Sequence, residues 1–284
     1  MPPLILWLLD GRAFVICSVF CLGGFIWMSV AVATAGLRRV LVWAALAGLV
    51  VLATSTPIAW PLQVAPLALS LAGLFILRCK PVSRRPVRVC GLIGVIAVSV
   101  VLWGELRWWP RVMVPVTEAG VVVIGDSLSA GIGGGETIWP RQLADAARLD
   151  VVSVAFPGAR IADGRRQLAR ASVKGRVVVV LLGGNDMLGR GSAEDFYVEL
   201  EELVLAVRAG GGRVLLIEFP VLPAREGFGQ ALRTVATKHG VPLLHRRFLA
   251  AVLQAPDATV DGLHLSESGH RELARMVKLS LEAR

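Results

Sequence analysis

The second half of the chain contains no cysteine. All four, Cys17, Cys21, Cys79 and Cys90, fall in the first 90 residues, so no internal disulfide can staple the second half. No Cys-x-x-Cys pair and no His/Cys cluster with metal-ligand spacing occurs, so no metal and no cofactor is expected. Nucleotide-binding loops are missing as well. The run Gly131-Ile132-Gly133-Gly134-Gly135-Glu136 lacks the last glycine of a dinucleotide fingerprint and does not open a helix directly, and no Gly-Lys-Ser/Thr is present to form a P-loop. A Gly-x-Ser-x-Gly elbow fails around Ser127, because position 129 is Ser.

Charge is scarce before residue 111. That stretch holds nine Lys/Arg and two acids, Asp10 and Glu105, whereas residues 111–284 hold 21 basic and 19 acidic residues. Most of the net charge of +9 therefore sits in the most apolar part of the chain. The surplus is gathered in short stretches, Arg38-Arg39 and Arg78 to Arg88. No basic stripe with interleaved aromatics is present, so nucleic acid is not an expected partner and a lipid bilayer is.

A hydrocarbon core needs about 20 apolar residues as a helix. Residues 1–110 are read as a transmembrane region of about four helices: 13–36, 40–56, 58–77 and 89–109. Pro61 and Pro66 are expected to kink or shorten the third. The start Met1-Pro2-Pro3 has no basic n-region, and Asp10 precedes Arg12, so a cleaved signal peptide is not expected. Both basic stretches read as cytoplasmic loops, and the uncharged turn Ser55-Thr56-Pro57 between them reads as translocated. Four crossings then put everything after Arg111 outside the bacterial cytoplasmic membrane, with Trp108 and Trp109 at the outer interface.

From 111 to 284 short β-branched runs alternate with helical patterns. Strands are predicted at 120–125, 150–155, 176–182, 213–218 and 241–244. Helices are predicted at 139–148, 161–171, 193–209, 227–239 and 266–281. Continuous apolar strands between helices imply a parallel sheet covered on both faces, an α/β three-layer sandwich with ligands at the C-terminal strand ends.

Three predicted strand ends carry unusual residues: Gly125-Asp126-Ser127, Phe156-Pro157-Gly158 and Gly183-Gly184-Asn185-Asp186. A late loop adds Asp261-Gly262-Leu263-His264. A serine hydroxyl needs a base to become nucleophilic, and the base needs an orienting acid. Asp261 and His264, three apart, can touch in one turn. The Asn185 amide and the Gly158 N–H can both donate to an oxyanion. Taken singly, each motif reads equally well as turn chemistry. His239, His245 and His270 are read as playing no part, the first two for want of a carboxylate at useful spacing.

Taken in order, the four motifs resemble the SGNH/GDSL hydrolase family. The serine block reads Ile124-Gly125-Asp126-Ser127-Leu128-Ser129, and the last block reads Asp261-Gly262-Leu263-His264-Leu265-Ser266 with Gly269 following. Ser129-Ala130-Gly131 and Trp139-Pro140 are similar to features of the bacterial arylesterase, thioesterase and lysophospholipase group. The resemblance covers residues 121–284 and implies Ser127 as nucleophile, His264 as base and Asp261 as its orienter. It also implies an oxyanion hole made by the Ser127 and Gly158 N–H groups and the Asn185 side chain. Leu265 stands where that group often has proline. The segment 220–229 matches the group's substrate-side loop only loosely.

The expected function is a membrane-anchored serine ester hydrolase working through an acyl-Ser intermediate on a small-molecule or lipid ester. Two alternatives stay open. One is an O-acetyltransferase or deacetylase acting on envelope glycans, although membrane acyltransferases that feed such domains carry many more helices. The other is a non-catalytic binding domain, against which the intact set of five residues argues.

Overall fold

The computed structural model of the protein describes residues 8–30, 36–54, 56–58, 60–78, 84–133 and 135–283. The chain divides between Trp109 and Pro110 into two compact units.

The first unit is helical: α1 (Arg12–Val30), α2 (Leu37–Ala53), α3 (Trp60–Ile76) and α4 (Arg84–Leu106). Residues 31–35, 55 and 59 of the anticipated spans, with Cys79 and Lys80 of the second basic stretch, lie outside the described residues. The fourth helix begins at Arg84 and not at 89, with Pro86 in its first turn, where the fixed φ of proline suits a helix and its missing N–H costs nothing. Stretches Arg12–Val30 and Arg85–Leu106 are long and apolar enough to cross a membrane. The other two helices have 17 residues each, and Pro66 stands inside α3.

These helices pack through small residues. A Cβ added at Gly94 of α4 would lie 2.4 Å from the Phe25 ring of α1, so only glycine permits that approach. Several polar groups point inward and are satisfied locally, whereas the buried Ser18 hydroxyl has no partner among the described residues. Asp10 is fully buried and accepts from Arg12 N and Nε at 2.7 and 2.6 Å. Gln63 Nε2 donates to the carbonyls of Thr56 and Ile58, each at 2.8 Å. Ser70 Oγ donates to Pro66 O at 2.7 Å. Large apolar side chains face outward instead, among them Phe20, Trp43, Phe75 and Trp103. The Arg107 guanidinium lies over the Trp103 and Trp108 rings at 5.2 and 5.1 Å.

The second unit opens with β1 (Val114–Val116). It continues with β2 (Val121–Gly125), α5 (Ser127–Ala130), α6 (Trp139–Ala147) and β3 (Val151–Ser153). After a 3-10 turn at Ile161–Asp163 come α7 (Gly164–Leu168), β4 (Val177–Leu181), α8 (Gly184–Leu188), α9 (Ala193–Ala209) and β5 (Arg213–Ile217). The chain ends with α10 (Glu226–His239), β6 (Leu243–Leu244), α11 (Arg246–Gln254), α12 (Glu267–Lys278) and β7 (Leu281–Ala283).

Strands β3-β2-β4-β5-β6 form one sheet, parallel throughout. Counted within the sheet the order is 2-1-3-4-5, that of flavodoxin-like folds. All five residues of β2 and of β4 are buried, as central strands covered on both faces must be. Helix α6 packs with α12, and α9 with α10. The three-layer α/β sandwich is thus as anticipated. Five elements are additions: the short helices α5 and α8, helix α11, and the parallel pair β1–β7 with Val114 opposite Leu281. The closing helix accordingly stops at Lys278 and not at 281.

Candidate active site

Strands β2 and β4 lie side by side at the middle of the sheet, with β3 at the edge beside β2. Their C-terminal ends therefore bring three separate loops to one place. At the end of β2 the backbone is clamped by an amide pair. Gly125 N donates to Gln167 Oε1, and Gln167 Nε2 donates to Gly125 O, both at 2.9 Å. A Cβ on Gly125 would come within 2.4 Å of Ser129 Oγ, and Ser129 Oγ itself accepts from Trp139 Nε1 at 3.2 Å. Asp126 then caps the short α5 by accepting from Leu128 N at 2.9 Å. Ser127 is the first residue of that helix, half-buried.

After β3 the chain turns at Gly158, whose φ is +77°, a left-handed conformation that suits glycine. Nothing lies within 4 Å of where its Cβ would be, so its backbone borders open space. After β4, Gly183 takes φ +114°, and a Cβ there would meet Phe219 and Phe196 at 2.6 and 2.7 Å. The turn puts Asn185 beside both neighbouring loops. Asn185 Nδ2 donates to Ala159 O at 2.9 Å and, at a longer 3.4 Å, to Asp126 Oδ2. Asp186 Oδ2 accepts from Ile161 N at 3.1 Å. Asn185 and Asp186 thus pin the Gly158 loop and reach the residue before Ser127.

The fourth segment is a tight loop between α11 and α12, closed by an antiparallel bridge between Thr259 and Leu265. Asp261 Oδ1 accepts from the N–H groups of Leu263 and His264 at 2.9 and 2.7 Å, and Oδ2 meets His264 Nδ1 at 2.7 Å. The hydrogen bond from the His264 ring, helped by those two N–H groups, holds the Asp261 carboxyl well below the usual carboxylate range. With Nδ1 bonded to Asp261, Nε2 is the ring nitrogen left for other work.

Buried acids complete the site. Burial pushes the Asp126 carboxyl up to about 6; the Leu128 N–H pulls it down, nearby Asp186 pushes it up, and His264 pulls it down. Val260 and Leu265, which flank the Asp261–His264 pair, face Ile132 and Glu136 of the loop that follows α5 across a shared cleft. Burial raises Asp186 too, against the Ile161 N–H.

The arrangement has the parts of an acyl-transfer centre: a hydroxyl at a strand end, an imidazole oriented by a carboxylate, and amide donors on two adjoining loops. Among the described residues no group of three or more His, Cys, Asp or Glu could hold a metal ion.

The sequence assigns no catalytic part to the other histidines, and the structure adds partners that spacing does not reveal. His239 Nε2 meets Glu201 and His245 Nε2 lies 3.9 Å from Glu218, carboxylates too distant in sequence for spacing to flag. His270 is buried and its Nδ1 accepts from Trp139 N at 3.3 Å. The larger omission is the cluster at the end of β5. Glu218 is fully buried, paired with Arg233 Nε at 2.7 Å, and accepts from Arg246 N at 3.0 Å. Burial pushes its carboxyl up, but Arg233, His245 and Arg246 outweigh this and hold it below the usual range.

Solved structures of other proteins share this fold. The solved structure of the esterase EstA from Pseudoalteromonas sp. is 20% identical, with a TM-score of 0.50, and the match covers 57% of this chain and 96% of that one. Axe2, an acetylxylan esterase from Geobacillus stearothermophilus solved as a catalytic mutant, is 18% identical with a TM-score of 0.50, covering 60% of this chain and 98% of that one. TesA is 26% identical with a TM-score of 0.49, over 56% of this chain and 96% of that one. No curated protein matches. The GDSL-like Lipase/Acylhydrolase family matches residues 123–272, a span that runs from β2 to α12 and takes in every motif above; the chain belongs to that family and is a hydrolase of ester bonds.

Proposed function

We propose that Ser127, His264 and Asp261 are the catalytic residues of a membrane-anchored ester hydrolase, with Gly158 N, Ser127 N and Asn185 Nδ2 as the oxyanion donors. The observation that carries this reading is the Asp261–His264 pair, Oδ2 to Nδ1 at 2.7 Å, an imidazole oriented by a carboxylate as a general base requires. Ser127 Oγ attacks the ester carbonyl while His264 Nε2 takes its proton. The C–O bond to the alcohol breaks, and the alcohol leaves with that proton. Water then repeats the sequence on the acyl-Ser127 ester and returns the free serine. Negative charge on the carbonyl oxygen is met by the Gly158 and Ser127 N–H groups and by Asn185 Nδ2, which turns from its long 3.4 Å contact with Asp126 Oδ2; such donors are where most of the barrier lowering arises.

The anchoring rests on the first unit. Its interior is polar in places and its outer face apolar, the inverse of a helical bundle in water. Arg38 and Arg39 stand at the start of α2, and Arg84, Arg85 and Arg88 at the start of α4, ends that positive-inside bias assigns to the cytoplasm. On this reading residues 1–110 form the transmembrane region and residues 111–284 an extracytoplasmic hydrolase domain. Its substrates are small-molecule or lipid esters of that compartment.

Labelling with a fluorophosphonate tests the chemistry. The native chain is expected to label, and Ser127→Ala is expected to lose both the label and ester turnover, the latter by on the order of 10⁴–10⁶ in kcat. Labelling retained in that variant would put the nucleophile elsewhere.

A further inference from the structure

The two loops that hold Gly158 and Asn185 also carry arginine. Gly158 is followed by Ala159 and Arg160, and α8 ends at Gly189-Arg190. Hydrogen bonds tie both segments to Asn185 itself. Gly189 N donates to Asn185 O at 3.1 Å, and Asn185 Nδ2 donates to Ala159 O at 2.9 Å. Gly189 therefore stands one helical turn, about 6 Å, from Asn185.

Two guanidinium groups meet at Gly189. Arg225, the residue before α10, donates through Nη2 to Gly189 O at 2.9 Å, and its Cζ lies 5.9 Å from the Phe228 ring centre. Arg160 Nη2 lies 3.1 Å from the position that a Cβ on Gly189 would take. Backbone dimensions then keep the two Nη2 atoms within about 10 Å of each other. Among the described residues no carboxylate is paired with Arg160, Arg190 or Arg225. Asp163, which accepts from Arg160 N, gives its other oxygen to Arg166 at 2.6 Å. Asp186 is buried and accepts from Ile161 N. Arg160 and Arg190 are exposed and Arg225 is half-buried, so cationic N–H donors face solvent one turn from Asn185.

A guanidinium binds an oxyanion through parallel N–H groups. One guanidinium fills the two-oxygen face of a carboxylate. Two that approach from separate segments suit the several oxygens of a phosphate. Resting on the assignment of Ser127, His264 and the oxyanion donors above, we propose that the substrate is an ester bearing a phosphate group a few bonds from its carbonyl, and that Arg160 and Arg225 bind that group. Their role is to hold the substrate beside the oxyanion loops, whichever half of the ester carries the charge.

The test uses the full chain in dodecyl maltoside micelles, which contribute no phosphate, and two matched pairs of esters. Ethyl 4-phosphonobutanoate against ethyl pentanoate puts the anion on the acyl half. The ester 2-acetoxyethyl phosphate against butyl acetate puts it on the alcohol half. The readout is the ratio of kcat/KM, anionic over neutral, within each pair. In at least one pair it should reach about tenfold, the scale of one charge-assisted hydrogen bond, and act mainly through KM. Added salt should lower it. Arg160→Gln and Arg225→Gln should each remove most of the excess, and Arg160→Glu should take the ratio below one. A ratio near one in both pairs, or one that survives Arg160→Glu, would overturn the phosphate site and leave the hydrolase standing. Cleavage of none of the four esters would remove the hydrolytic reading, and the site with it.

Discussion

Replacing Glu218 by glutamine removes one charge from the end of β5 while keeping the side chain's shape. The consequence can be sized from its surroundings. The carboxylate is wholly buried, holds Arg233 through Nε at 2.7 Å and Nη2 at 3.3 Å, and accepts Arg246 N at 3.0 Å. Arg233 and Arg246 are themselves buried. Breaking a buried pair from one side costs about 3–5 kcal/mol, because the partner's charge stays in low dielectric without its counter-charge. In a unit of this size each kcal/mol moves Tm by about 2–4 °C, so Glu218→Gln should lower it by roughly 10 °C. Differential scanning calorimetry of the full chain at pH 7.5 measures this. The pH dependence supplies the control. Because folding holds this carboxyl below its ordinary value, its stabilisation is present above the unfolded value near about 4.3 and is lost as pH falls through the lower folded value. The gap between wild type and variant should therefore persist at pH 5 and close only in stronger acid. A drop of less than about 3 °C at pH 7.5, or a gap that does not close in acid, would refute the account of Glu218 as a buried anion.

Asn185→Ala should lower kcat by about 10²–10³ with little change in KM; steady-state kinetics on any cleaved ester checks it, and an effect confined to KM would make Asn185 a substrate-binding group. Asp126→Asn should flatten the pH dependence of stability between about pH 4 and pH 7. The folded carboxyl is raised to about 6, so its contribution is full below the unfolded value and is lost as pH rises through 6. About 3 kcal/mol separates the two limits; melting curves at pH 4.5 and 7.5 that differ equally in both proteins would contradict this. Alkaline phosphatase fused after Trp109 should be active, and green fluorescent protein at the same place dark. The reverse result would put the hydrolase unit in the cytoplasm.

Much of the second unit was legible because its elements announce themselves locally. Valine runs give β2 and β4, and Ser192 and Ser266 cap α9 and α12 through Asp195 N at 3.0 Å and Gly269 N at 3.2 Å. The Asp261–His264 pair was legible for the same reason, since both partners lie within one loop. What sequence reading missed is held by contacts between distant segments. Gln167 reaches across 42 residues to clamp Gly125, and no local pattern marks a glutamine for that task. The Glu218 cluster joins three elements, and each of its members alone looks like a surface charge. Strands β1 and β7 have three residues apiece, too few for periodicity to register.

That last pair has a kinetic consequence. Val114–Val116 can find Leu281–Ala283 only after the whole sandwich between them has formed, and Arg111 reaches the Met276 carbonyl across a separation of 165 residues at 2.9 Å. Closing so long a loop is the most entropically demanding step in the unit. Three ladder positions give little in return, so this seam should zip last and open first. Amides of β1 and β7 should accordingly exchange with solvent through a partial opening that leaves the β2–β4 core protected.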